Sequence, residues 1–149
     1  MARFRFKFDV VLRHRRIIED EAQRELAKLL RQRMIMADQI RQMQDTITES
    51  RQALATGLTG RVDMTQVSSF ASFSLQARAR AQGLVERLSG LERLINGARQ
   101  KLIAAARRRK AMELLFDRQR EQWATEQNRR EDAALDEMSV QSHAQKREL

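Results

Sequence analysis

Gly57-Leu58-Thr59-Gly60-Arg61-Val62-Asp63-Met64 decides the fold of this chain. Two of its five glycines sit in these eight residues, and the sequence contains no proline. A glycine supplies the positive φ that commonly ends a helix. An Asp or Thr side chain opens the next helix by accepting an otherwise unsatisfied backbone N–H. Gly57 therefore reads as a helix C-cap, and Asp63 or Thr65 as the following N-cap. Between Asp9 and Leu54 there is neither glycine nor proline, and no proline follows Thr65. The expected layout is a single coiled-coil rod over residues 1–149. Helix one spans about 8–56, a turn 57–64, helix two about 65–140, and a flexible tail 141–149.

Working outward from the turn, both arms repeat every seven residues. In the first arm Leu26, Arg33, Ile40, Ile47 and Leu54 form one register, with Ala22, Leu29, Met36, Met43 and Ser50 beside it. In the second arm Ala81, Leu88, Ile95, Leu102, Arg109, Phe116 and Trp123 run beside Phe70, Ala77, Leu84, Leu91, Ala98, Ala105 and Met112. Steps alternating between three and four define a coiled-coil seam. Toward the N-terminus the seam continues through Ile18, Arg15, Val11 and Phe8, so that Ile18, Ala22 and Leu26 form a four-plus-four stutter that relaxes the supercoil.

A short turn forces the arms antiparallel. Equal rise per residue then sets Ile40 near Ala81, Leu26 near Ile95 and Phe8 near Met112. Helix one runs out opposite Phe116. Beyond it the seam of helix two becomes Gln119, Glu126, Arg130 and Glu137, turning polar where its partner ends. The fold class is all-α: an antiparallel two-helix coiled coil whose second helix is the longer.

Composition agrees. Ala, Glu, Lys, Leu and Arg make up 76 of the 149 residues, the mark of long helices. The 35 Leu, Ile, Val and Phe residues are few for a globular core but sufficient for a narrow seam. Without cysteine the chain forms neither disulfides nor thiolate metal sites. No stretch has the roughly 18–20 apolar residues of a membrane span. The opening MARFRFKF has no apolar run behind it, so no secretory signal is expected. A cytoplasmic protein is the expectation.

No catalytic arrangement is apparent. His14 and His143 lie far apart, and phosphate-binding glycine loops and metal-ligand spacings are missing. The chain reads as non-enzymatic, without cofactor, metal or small-molecule substrate. The formal net charge of +9 invites nucleic acid, but most of the charge is interspersed. Its local imbalances are more telling. Arg3, Arg5, Lys7, Arg13, Arg15 and Arg16 stand against Asp9 alone, and Arg107-Arg108-Arg109-Lys110 is the densest basic run. The antiparallel register brings these together at one end, while residues 113–137 are acidic, with eight acids against four arginines. No aromatics interleave with the basic run, so base readout is not expected. Phe4, Phe6 and Phe8 either close the seam over Met112 and Phe116 or remain exposed as anchors. Trp123 falls in the overhang, where no intramolecular helix covers it. Gly83, Gly90 and Gly97 recur every seven residues on an outer stripe of helix two.

The opening FRFKFDVVLRHRRIIEDEAQRELA, residues 4–27, resembles the start of the flagellar FliJ family in its aromatic alternation, its Val11-Leu12 pair, its basic patch, and Glu19 with Ala22. KAMELLFDR, with Lys110, Glu113, Leu115, Asp117 and Arg118, is similar to a second family stretch, and EDAALDE at 131–137 to its ending. This resemblance implies a cytoplasmic component of the type III flagellar export apparatus, peripherally associated with the inner membrane at the flagellar base. It further implies a stalk-like rod whose terminal end enters the hexameric export ATPase ring, which contacts the membrane export gate, and which escorts export chaperones. The ring contact falls here on Arg13, Arg15, Arg16, Arg107, Arg108, Arg109, Lys110 and Trp123. The family's gate contact, near the start of helix two, is matched by Phe70 and Ala77, while Ser74 and Ala81 are smaller than the usual apolar residues there. Two other readings stand beside it: a nucleic-acid-binding coiled-coil arm, and a generic cytoplasmic scaffold that dimerises through the overhang.

Overall fold

The structure, a computed structural model, describes residues 3–145. It is an antiparallel two-helix coiled coil: α1 spans Asp9–Gly57 and α2 spans Met64–Gln145, 49 and 82 residues long. Helix α2 runs on past the expected end near residue 140, and residues 146–149 of the expected tail lie outside the described residues.

The turn works differently from the first expectation at one position. Gly60, with φ 122°, takes the positive φ, not Gly57. The amide of Leu58 still donates to the carbonyl of Leu54 (3.0 Å), so the i→i−4 ladder runs through Gly57 and the chain reverses three residues later. Asp63 is the N-cap of α2. Its Oδ1 accepts the amide of Thr65 at 2.9 Å, and its carbonyl accepts that of Val67 at 3.3 Å.

Contacts divide the chain into two compact units, Asp20–Ile103 and Met1–Glu19 with Ala104–Leu149. In the first unit Leu29, Leu91, Ile95 and Ala98 form the core, with Leu26, Leu30 and Met36 packed against it. Ile95 is fully buried. Every position of both sequence registers is buried or half-buried, from Ala22 to Leu54 on α1 and from Phe70 to Trp123 on α2. The intervening surface positions are mostly exposed. Gly83 is half-buried while Gly90 and Gly97 are exposed, and a Cβ on any of the three would meet nothing.

The second unit corrects the expected seam at its N-terminal end. Leu12 is buried at 5% exposure, whereas Val11 is 38% exposed. Glu19 is half-buried, with only 13% of its side chain exposed. Phe8, Leu12, Arg15, Glu19, Ala22 and Leu26, all buried or half-buried, continue the heptad steps without a stutter, and Ile18, the expected seam residue, is half-buried beside Glu19. An acid occupies a seam position because a cation faces it. Glu19 accepts a hydrogen bond from Nε of Arg109, itself a seam residue of α2.

A register centred on Gly60 sets Glu19 opposite Leu102, yet its partner lies seven residues farther along. The Cα–Cβ bonds of each helix tilt toward its own N-terminus. In an antiparallel pair two long side chains therefore converge from Cα atoms that have already passed one another. The Arg16–Glu113 pair (3.2 Å) is offset in the same direction, by eight residues, and within the first unit Arg33–Glu92 (3.4 Å) is offset by four.

Candidate functional site

Residues 3–6 precede α1 as irregular chain and residues 7–8 turn into it. Irregular, extended chain advances about 3.3 Å per residue against 1.5 Å in a helix. Helical register would set Phe6 opposite Leu115 and Phe4 opposite Asp117, so of the ring contacts that follow only Phe4 with Trp123 reaches well beyond it. The Phe6 ring meets Phe116 edge to face with centroids 5.1 Å apart, and Phe4 meets Phe116 at 5.6 Å and Trp123 at 5.8 Å. Phe8 stands 5.9 Å from Phe6. Such tilted and edge-on contacts are the favoured aromatic geometry. Trp123, expected to be bare, is half-buried because the extended segment carries Phe4 up to it.

Alternation with the packed rings leaves Arg3, Arg5 and Lys7 exposed. Together with Asp9, Val10, Arg13 and Phe116, they line an open groove of about 940 Å³. Of the α1 cations, Arg13 pairs with Asp9 one turn away, Arg16 pairs with Glu113, and Arg15 is half-buried.

The basic run of α2 separates into two kinds of residue. Arg107, Arg108 and Lys110 are exposed, and none of them forms an ion pair among the described residues. Arg109 is different. Its hydrogen bond to Glu19, aided by the charge of Glu113, holds the guanidinium above its ordinary pKa range against the opposing effect of desolvation. Glu113 accepts its Nη1 at 2.5 Å. Arg109 is thus tied into the seam and differs from its three neighbours, although all four carry the same charge in the sequence.

A polar pair at a seam position fixes register at some cost in stability. Glu19→Leu should therefore lower the melting temperature by leaving Arg109 without its first partner. Glu19→Leu combined with Arg109→Leu should recover the loss or exceed it. Thermal melts followed by circular dichroism check the ordering; a single variant as stable as the double one would contradict it.

Within the Asp20–Ile103 unit the two carried-over gate residues differ in access. Phe70 is half-buried and Ala77 is buried in the seam. Ala77 forms the floor of an open groove of about 680 Å³ whose walls include Gln39, Met43, Thr46, Phe73 and Arg80. Phe73, 39% exposed, is the aromatic most open to solvent there. Sequence reasoning passed over it because it lies outside the heptad registers. The signal that could have found it is an aromatic residue at a position flanking the seam, three residues from Phe70 and four from Ala77, where a polar side chain is usual.

Beyond Gln127 every position to His143 is exposed, including Leu135, Met138 and Val140. Among the described residues no helix is long and apolar enough to cross a membrane. An antiparallel helix pair with one overhanging arm, open grooves and a basic terminus sealed by aromatic rings defines a coiled-coil protein built on contact surfaces. The chain belongs to the FliJ family: the family described as "Flagellar FliJ protein" matches residues 4–148, essentially its whole length. It is accordingly a flagellar protein-export component, in a family that is non-catalytic. No curated protein and no solved structure matches the chain.

Proposed function

We propose that this chain is the stalk of the export machinery, cytoplasmic and held at the inner membrane at the flagellar base. The Met1–Glu19 and Ala104–Leu149 unit binds the export ATPase hexamer, the Asp20–Ile103 unit links it to the membrane export gate, and the chain escorts export chaperones. The observation that carries the ATPase contact is the exposure of Arg107, Arg108 and Lys110 without ion-pair partners, beside a terminus sealed by Phe4, Phe6 and Trp123. Exposed cations of this kind steer an acidic partner and lose their influence beyond about 8 Å at physiological salt. The groove over Ala77, with Phe73 open on its wall, is the corresponding candidate for the gate.

Charge reversal of Arg107, Arg108 and Lys110 to Glu, leaving Arg109 in place, tests the reading. Ten-fold or greater weakening of binding to the purified export ATPase is expected, corresponding to about 1.4 kcal/mol or more. Loss of ATPase stimulation should accompany it, with unchanged helicity. Binding by the triple variant that equals wild type at low and moderate salt would sink the assignment. Retained duplex-DNA or RNA binding with no ATPase binding by the wild-type chain would favour a nucleic-acid arm instead.

A further inference from the structure

One face of α1 carries a second coiled-coil seam that α2 does not cover. Ala27, Leu30, Met34 and Ala37 follow one another at steps of three, four and three. Ala27, Met34 and Ala37 are exposed, Met34 to 61%, while Leu30 is half-buried at the edge of the core. With Leu88 of α2 they line an apolar groove of about 700 Å³, at whose rim Arg33 and Glu92 are already paired. We infer that this groove receives the same groove of a second copy, with the two α1 helices antiparallel about a twofold axis.

The choice of a second copy comes from self-complementarity in size and charge. In an antiparallel seam the two alternating registers face each other. Placing Ala27 against the partner's Ala37 also places Leu30 against the partner's Met34, so small meets small and large meets large in the same alignment. That alignment fixes the flanking positions independently. On the side of α1 away from α2, it sets Arg24 opposite Asp38 of the second copy, and the twofold axis repeats the pair. Arg24 and Asp38 are both exposed, and neither forms an ion pair among the described residues. Arg31 faces its own copy near the axis, a like-charge contact that limits affinity. Four seam side chains per copy make a small interface, below about 1,200 Å², so the association is weak and reversible. It does not depend on the ATPase or gate contacts.

Sedimentation velocity of the full chain between about 10 μM and 1 mM reads the association, a range suited to an interface of this size. Wild type should shift from monomer to dimer across the range, and Met34→Glu should remain monomeric with unchanged helicity. The decisive arm uses charge. Arg24→Glu sets two acids opposite each other and Asp38→Arg sets two cations, so each variant alone should weaken dimerisation about ten-fold or more. An equimolar mixture of the two should restore it, because both cross-pairs then become opposite in charge. A wild-type chain that stays monomeric throughout, dimerisation indifferent to Met34→Glu, or a mixture no better than its components would overturn the inference.

Discussion

Ile95→Asp is expected to abolish folding of the Asp20–Ile103 unit, and Ile95→Ala to destabilise it by about 2–5 kcal/mol. Ile95 is the one large side chain with no exposure among the described residues, and it packs in the cluster of Leu29, Leu91 and Ala98. A two-helix seam has no second layer to relax into the space left by a truncated side chain. Both the transfer free energy and the contacts around the cavity are lost together. Aspartate adds a desolvated charge for which no cation in the cluster is available. The control is Ile103→Asp, on the same helix but 44% exposed, which should stay within about 0.5 kcal/mol of wild type. Urea or thermal unfolding followed by circular dichroism separates them. If the two aspartate variants unfolded alike, Ile95 would not hold the place in the seam described here.

The parts of this fold that were legible in the sequence are those that repeat. Heptads from Ala22 to Leu54 and from Phe70 to Trp123 mark buried or half-buried positions because a helix turning through 3.6 residues presents one narrow stripe to one neighbour. The breaker cluster marked the reversal. Which glycine would carry it was less evident, since Gly57 and Gly60 are equally permissive and hydrogen bonding from Leu58 to Leu54 decides between them. Glu19 was hidden for a different reason. A charged residue in a pattern reads as surface, so Ile18 was the natural choice for the seam. Only the approach of Arg109, ninety residues away in sequence, makes the acid tolerable there. The same long-range pairing separates Arg109 from Arg107, Arg108 and Lys110, which composition treats as one basic run. The ATPase and gate assignments came from the family resemblance. No periodicity specifies what an exposed cation or an off-seam aromatic touches in another protein.

The aromatic seal over the basic terminus makes the other large prediction. Phe6→Ala should detach residues 3–8 from α2, because Phe6 is the ring of that segment that is buried, at 7% exposure, and it touches both Phe8 and Phe116. Truncating a packed phenylalanine costs about 3–5 kcal/mol in a closed core. Here the loss should fall near the lower end and be local, since water already reaches Phe4, Phe8 and Phe116. Trp123 is the only tryptophan, and Phe4 stands 5.8 Å from it, so its fluorescence reports the detachment directly. A red shift of its emission at temperatures where helicity is intact is the expected result. Phe8→Ala, which removes a ring that touches Phe6 but not α2's aromatics, should shift it less. Unchanged emission in Phe6→Ala would mean that Phe4 holds its place on Trp123 without Phe6. Because Arg3, Arg5 and Lys7 owe their outward placement to the inward packing of the alternating rings, the same variant should also weaken attraction to an acidic partner without removing a single charge. That distinguishes a preorganised basic surface from a merely basic composition.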